Sequence, residues 1–95
     1  MSGNGNTVVL RLYGALRHAV GSREVQLPCE ETTLKAALQS FAQEHTRTSD
    51  LLFDREGNVW GSVILLLNDE PAAEGAATPV KAGDVVSVLM PLAGG

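Results

Sequence analysis

The sequence predicts an α+β domain, with a mixed sheet of four to five strands and one main helix packed across one face. Three observations predict it. Apolar residues alternate with a period of two near both ends of the chain, at Val8, Leu10 and Leu12 and again at Val86 and Val88. Between them, Leu34, Ala37, Leu38 and Phe41 recur instead at the i, i+3, i+4, i+7 spacing of one helical stripe. The third is the run Val63-Ile64-Leu65-Leu66-Leu67, a strand that is apolar on both faces.

Taken in order, residues 1–6 read as a flexible tail, because Ser2-Gly3-Asn4-Gly5-Asn6 is small and polar. The first strand is expected from Thr7 to Tyr13. Val8, Leu10 and Leu12 point one way, and Val9, Arg11 and Tyr13 the other. Gly14 breaks it, and residues 15–21 read as a turn that can include one helical loop. A second strand follows from Arg23 to Leu27, with Val25 and Leu27 on the inner face. Pro28 ends it. Thr32 or Thr33 then offers a hydroxyl to cap a helix over about 33–45, and Glu30 and Glu31 sit where the helix dipole favours negative charge. A shorter helical turn is expected from Ser49 to Phe53.

Asp54-Arg55-Glu56-Gly57-Asn58 is a turn by composition. A third strand should occupy Ser62 to Leu67. Asn68-Asp69-Glu70-Pro71 turns the chain again, and residues 72–81 read as a loop that can hold a short edge strand. Ala82-Gly83-Asp84 leads into the last strand, Val85 to Met90. A helix between two hairpin regions packs across one sheet face, with the first and last strands side by side at the centre. That is the β-grasp arrangement. The expected organisation is a tail at 1–6, one domain at 7–92 and a mobile end at 93–95.

Composition narrows the function. Ninety-five residues make one domain with a modest core. Hydrophobic content of 44% and charged content of 19% suit a globular chain. The net charge is −4, and the sequence contains no basic run to neutralise phosphates, so nucleic-acid binding is not expected. Cys29 is the single cysteine, which excludes an intrachain disulfide and a cysteine metal knuckle. The longest apolar run, Val63 to Leu67, is too short to span a bilayer. No signal peptide is visible, and a cytoplasmic protein is expected.

The end of the sequence carries the functional signal. Ala93-Gly94-Gly95 follows a short segment after the last strand. Glycine has no Cβ, so such an end can enter a narrow channel and approach a reactive centre. A random chain would end in two glycines roughly once in 200 at ordinary glycine usage. The chemistry expected here belongs to the Gly95 carboxylate rather than to a side chain.

The chain resembles the MoaD/ThiS group of ubiquitin-like sulfur carriers. The residues that carry the resemblance are Leu12-Tyr13-Gly14-Ala15-Leu16-Arg17-His18-Ala19-Val20-Gly21, Val80-Lys81-Ala82-Gly83-Asp84-Val85-Val86 and Ala93-Gly94-Gly95. Leu52-Phe53-Asp54-Arg55-Glu56-Gly57 and Asn68-Asp69-Glu70 are similar to a longer subgroup that includes archaeal MoaD-like proteins and CysO-type carriers. Two departures stand out: His18 replaces a common acidic residue, and Met90-Pro91-Leu92 replaces the usual Pro-Pro-Val.

The resemblance implies that the protein is a carrier and not itself an enzyme. It implies that an E1-like adenylating enzyme of the MoeB/ThiF type joins the Gly95 carboxylate to AMP, using ATP and magnesium. A persulfide sulfur donor then displaces AMP and leaves a thiocarboxylate. The carrier itself binds no cofactor. The client implied first is the large subunit of molybdopterin synthase, with this chain as the small subunit. Cysteine or another sulfur metabolite is the alternative product, and isopeptide modification of protein lysines is a third possibility. Alternation turns Ser87 and Leu89 away from the helix. Ile64 and Leu66, or Leu65 and Leu67 with the register slipped by one, should join them in an apolar patch for partners, with Leu92 beyond the strand.

Other motifs are empty. Gly3-Asn4-Gly5 precedes a strand, and Val8 stands where a dinucleotide fingerprint needs its third glycine. His18 and His45 lack metal-ligand spacing and read as exposed histidines. Asp54/Glu56 and Asp69/Glu70 read as solvated turn residues, and Lys35 and Lys81 as surface charge.

Overall fold

A computed structural model describes residues 7–28 and 31–90. Three of the longer strands of its main sheet are β1 (Thr7–Leu12), β2 (Glu24–Pro28) and β7 (Val85–Leu89). Helix α1 (Gly14–Val20) joins β1 to β2. After β2 come a two-residue strand β3 (Thr32–Thr33), the main helix α2 (Leu34–Glu44) and a short helix α3 (Ser49–Leu52). Strands β4 (Ile64–Leu67), β5 (Glu70–Pro71) and β6 (Pro79–Val80) lead into β7.

The main sheet has the order β2-β1-β7-β4-β5. β1 and β7 pair in parallel, with Leu10 opposite Val86 and Leu12 opposite Val88. The other three pairings are antiparallel. The first and last strands therefore lie side by side at the centre of a mixed five-stranded sheet, as the alternation predicts. α2 covers one face. Its stripe of Leu34, Leu38 and Phe41 is fully buried against Val8, Leu10, Val86 and Val88 in one core cluster. Thr33 is the cap: its hydroxyl oxygen accepts a hydrogen bond from the Ala36 N–H at 3.2 Å.

The structure corrects the sequence reading in three places. Residues 14–20 form a full helix, not a loop, and Leu16 on it is buried in the core. Gly14 starts this helix at φ 59° and Gly21 ends it at φ 82°, both left-handed values that glycine adopts without strain. Val25 is only half-buried, because β2 is the sheet margin and no strand covers its outer side. The short strand within 72–81 is β6, and it pairs with β3 rather than with an edge of the main sheet. Trp60 stays 45% exposed, and its indole N–H donates to the Asp50 carbonyl at 3.1 Å.

Candidate functional site

β7 runs through the middle of the sheet and ends at Leu89. Because β1 is parallel to it, both strands finish at the same end of the molecule. Tyr13 and Gly14 therefore stand beside the place where the chain leaves the sheet. A Cβ placed on Gly14 would lie 3.9 Å from the Met90 carbonyl oxygen, which fixes how near they are. The residues that follow, including Leu92, Ala93, Gly94 and Gly95, lie outside the described residues, as does the expected tail at 1–6.

The start of β7 is clamped. Asn68 and Asp69 both have positive φ, 53° and 72°, in the two-residue link between β4 and β5 that favours such values. The Asn68 side-chain oxygen accepts from the Val85 N–H at 2.9 Å, and its amide donates to Asp84 Oδ1 at 3.2 Å. Asp84 is itself buried and accepts from the Lys81 N–H at 3.0 Å. The Gly83-Asp84 turn is thus tied to the link after β4, which fixes the start of β7 against that strand.

Opposite α2 the sheet is open. Cross-strand pairing places Ile64 beside Leu89 and Leu66 beside Ser87, while Ser87 also sits beside Arg11. The unslipped register is therefore the observed one, with Leu65 buried on the helix side. Ile64 is 52% exposed, and Leu66 and Leu89 are half-buried. Ser87 departs from expectation: it faces away from the helix yet is buried, only 3% exposed. A small side chain on the central strand lies between longer neighbours, Arg11 and Leu66, and they shield it. Tyr13, 43% exposed, belongs to this face and was not among the candidates. Its backbone is extended, so the alternation of Val9 and Arg11 continues through it. That parity was the available signal.

The remaining candidates fall outside the patch. Asp54 is a turn residue whose carboxylate accepts from the N–H groups of Glu56 and Asn58 at 2.9 and 3.0 Å. His18 is exposed, but His45 is half-buried, its ring 5.0 Å from that of Phe41. Among the described residues, no group of three His, Cys, Asp or Glu side chains could hold a metal ion, and no helix is long and apolar enough to cross a membrane. What the geometry offers is a half-apolar sheet face beside the exit of the last strand.

The ThiS family model matches residues 10–95. The chain belongs to the ThiS family. It is thereby placed among the ubiquitin-like sulfur carriers and modifiers. It is similar to Small archaeal modifier protein 1 of Haloferax volcanii, 30% identical over 86 residues that cover 90% of this chain and 97% of the relative. The crystal structure of that protein superposes with a TM-score of 0.84 at 26% identity, covering 94% of this chain and 99% of the other. The solution structure of the Methanosarcina acetivorans modifier protein 1 gives 0.81 at 26% identity, over 98% and 100% of the two chains. A chain of the Amycolatopsis orientalis BexX/CysO complex shares the fold, with a TM-score of 0.76 at 23% identity over 93% and 99% of the two chains.

Proposed function

We propose that this ThiS-family protein carries sulfur on its Gly95 carboxylate. The observation that supports this most is the reach of the family match, which runs through residue 95 and so includes Gly94-Gly95. A carboxylate is a poor acyl donor, since its leaving group would be oxide. An E1-like partner overcomes this by joining the Gly95 oxygen to the α-phosphorus of ATP, with pyrophosphate leaving. A persulfide sulfur then attacks the acyl carbon and AMP departs. Cleavage of the remaining sulfur–sulfur bond by a thiol leaves the thiocarboxylate. No side chain of this protein takes part in those steps. Its contribution is presentation: Leu89, Ile64 and Leu66 dock the partner while the glycines pass through a channel that bulkier residues would block.

The client proposed first is the large subunit of molybdopterin synthase, with this chain as the small subunit. A CysO-like role in cysteine or another sulfur metabolite uses the same carboxylate. A modifier role is favoured by one specific observation, that the relative at 30% identity bears the name of a modifier protein. In that case a substrate lysine, not a persulfide, attacks the activated carbonyl.

Intact-mass analysis of the protein isolated from its native cells tests the reading. A carrier shows replacement of one oxygen by sulfur at the terminus. A modifier appears joined to lysines of other proteins. Failure of the E1-like enzyme encoded in the same genome to transfer AMP to Gly95 would sink both.

A further inference from the structure

We propose that a cleft at the end of the β1–β2 hairpin takes an acidic segment of the partner protein and thereby fixes how that partner is turned on the open face. The identity of the partner rests on the carrier reading; the chemistry of the cleft rests on its geometry. The cleft is lined by Arg11, Leu12, Tyr13, Arg17, Arg23 and Glu24 and has a volume of about 270 Å³. Arg11 comes from β1, Arg17 from α1, and Arg23 from the bend before β2. Three of the chain's seven lysines and arginines thus meet at one opening, although the net charge is −4.

Gathering like charges is unfavourable unless something opposite is brought to them. Arg11 has an internal partner: its Nε lies 3.4 Å from Glu24 Oε2. Arg17 and Arg23 are exposed and make no ion pair among the described residues. Three guanidiniums against one carboxylate leave a local excess of two positive charges (3 − 1). The Arg11–Glu24 pair shows that the cleft accommodates a carboxylate, and the guanidinium fork suits that group.

A second observation sets direction. Asp69, Glu70 and Glu74 are all exposed around β5, at the opposite end of the strand order. The two margins of the sheet therefore carry opposite charge, with Tyr13, Ile64, Leu66 and Leu89 between them. A partner covering the apolar patch meets both margins. Rotated half a turn, it would set like charges together, so the charge pattern selects one orientation. A long polyanion such as a nucleic acid would run from the cleft onto the acidic remainder of the surface. A short acidic protein segment stays within the cleft, inside a screening length of about 8 Å at physiological salt.

The test is a titration of the full chain, labelled with nitrogen-15, by an acetylated hexaglutamate peptide at low salt. Amide shifts should concentrate at Tyr13, Arg17, Arg23 and Glu24. The double variant Arg17→Glu, Arg23→Glu should bind about tenfold more weakly, while unshifted amides of Leu10 and Val86 show that its core is intact. Shifts scattered over the surface, or equal affinity for both proteins, would overturn the proposal. So would inorganic phosphate at the same ionic strength giving the same shifts at the same affinity, since the cleft would then be a small-anion site. In a second arm, the E1-like enzyme of the same genome should adenylate the double variant with a raised KM and an unchanged kcat. Equal kinetics would remove the cleft from docking. An enzyme that fails on the unaltered chain as well strikes the carrier reading instead, and the peptide titration then decides the cleft alone.

Discussion

The two faces of one sheet divide the labour of this molecule. On the covered face Val8, Leu10, Val86 and Val88 have no exposure, and Leu34, Leu38 and Phe41 of α2 close over them. On the open face the same sheet presents Tyr13, just past β1, at 43% and Ile64 of β4 at 52% exposure, with Leu66 and Leu89 half-buried. Successive residues of a strand point to opposite faces, so adjacent positions such as Val88 and Leu89 serve different ends. Burying the first stabilises the fold, whereas the second leaves apolar area within reach of solvent, the area that the proposed docking would use. Substitutions on the two faces should therefore separate stability from activation, and the residues beyond β7 should separate them completely.

The largest expected effect lies beyond both faces. Deleting Gly95, extending the chain by one residue, or making Gly94→Val should abolish AMP transfer by the E1-like enzyme. Urea unfolding should be unchanged. An extended chain that still yields a thiocarboxylate without trimming would end the carrier reading.

On the covered face, Leu38→Ala should cost roughly 2–5 kcal/mol of stability, as it does for buried leucines elsewhere. Urea denaturation measures this. A loss below about half a kilocalorie per mole would mean that Leu38 is not at the centre of the packed stripe.

Leu89→Asp should reverse the balance. We expect adenylation to weaken about tenfold, equivalent to about 1.4 kcal/mol of partner binding, while stability changes by less than about 1 kcal/mol. Unaltered activation kinetics would take the open face out of the mechanism and erase the contrast between the faces.

A further effect, on stability alone, belongs to the clamp between the β4–β5 link and the start of β7. Asn68→Gly keeps the positive φ but removes the bonds to Val85 and Asp84. Stability should fall by about 1–2 kcal/mol with adenylation intact. A thermal midpoint equal to that of the parent chain would show that water replaces both bonds.

The elements differ in how legible they were. Alternation in β1 and β7 and the stripe of α2 are repeated signals over many residues, so strand, helix and covered face could be read directly. Thr33 was one of two named caps, and its hydroxyl is the one that bonds. α1 was missed because Leu16 is its single buried residue, which gives no period to detect. β6 was assigned to an edge because two residues carry no information about which strand they meet. The register of β4 was left between two choices, since a run of five apolar residues looks the same on either face.

By itself the sequence determined which residues alternate, where the main helix lies, and that the chain ends in Gly94-Gly95, because these are properties of near neighbours along the chain. Tertiary structure alone decided that Ser87 is covered by Arg11 and Leu66, that Gly14 lies beside Met90, and that Arg11, Arg17 and Arg23 meet at one cleft. The first two depend on strands brought together across long separations in sequence and the third on how α1 and the β1–β2 pair fold on one another, and neither periodicity nor composition records which strands will pair.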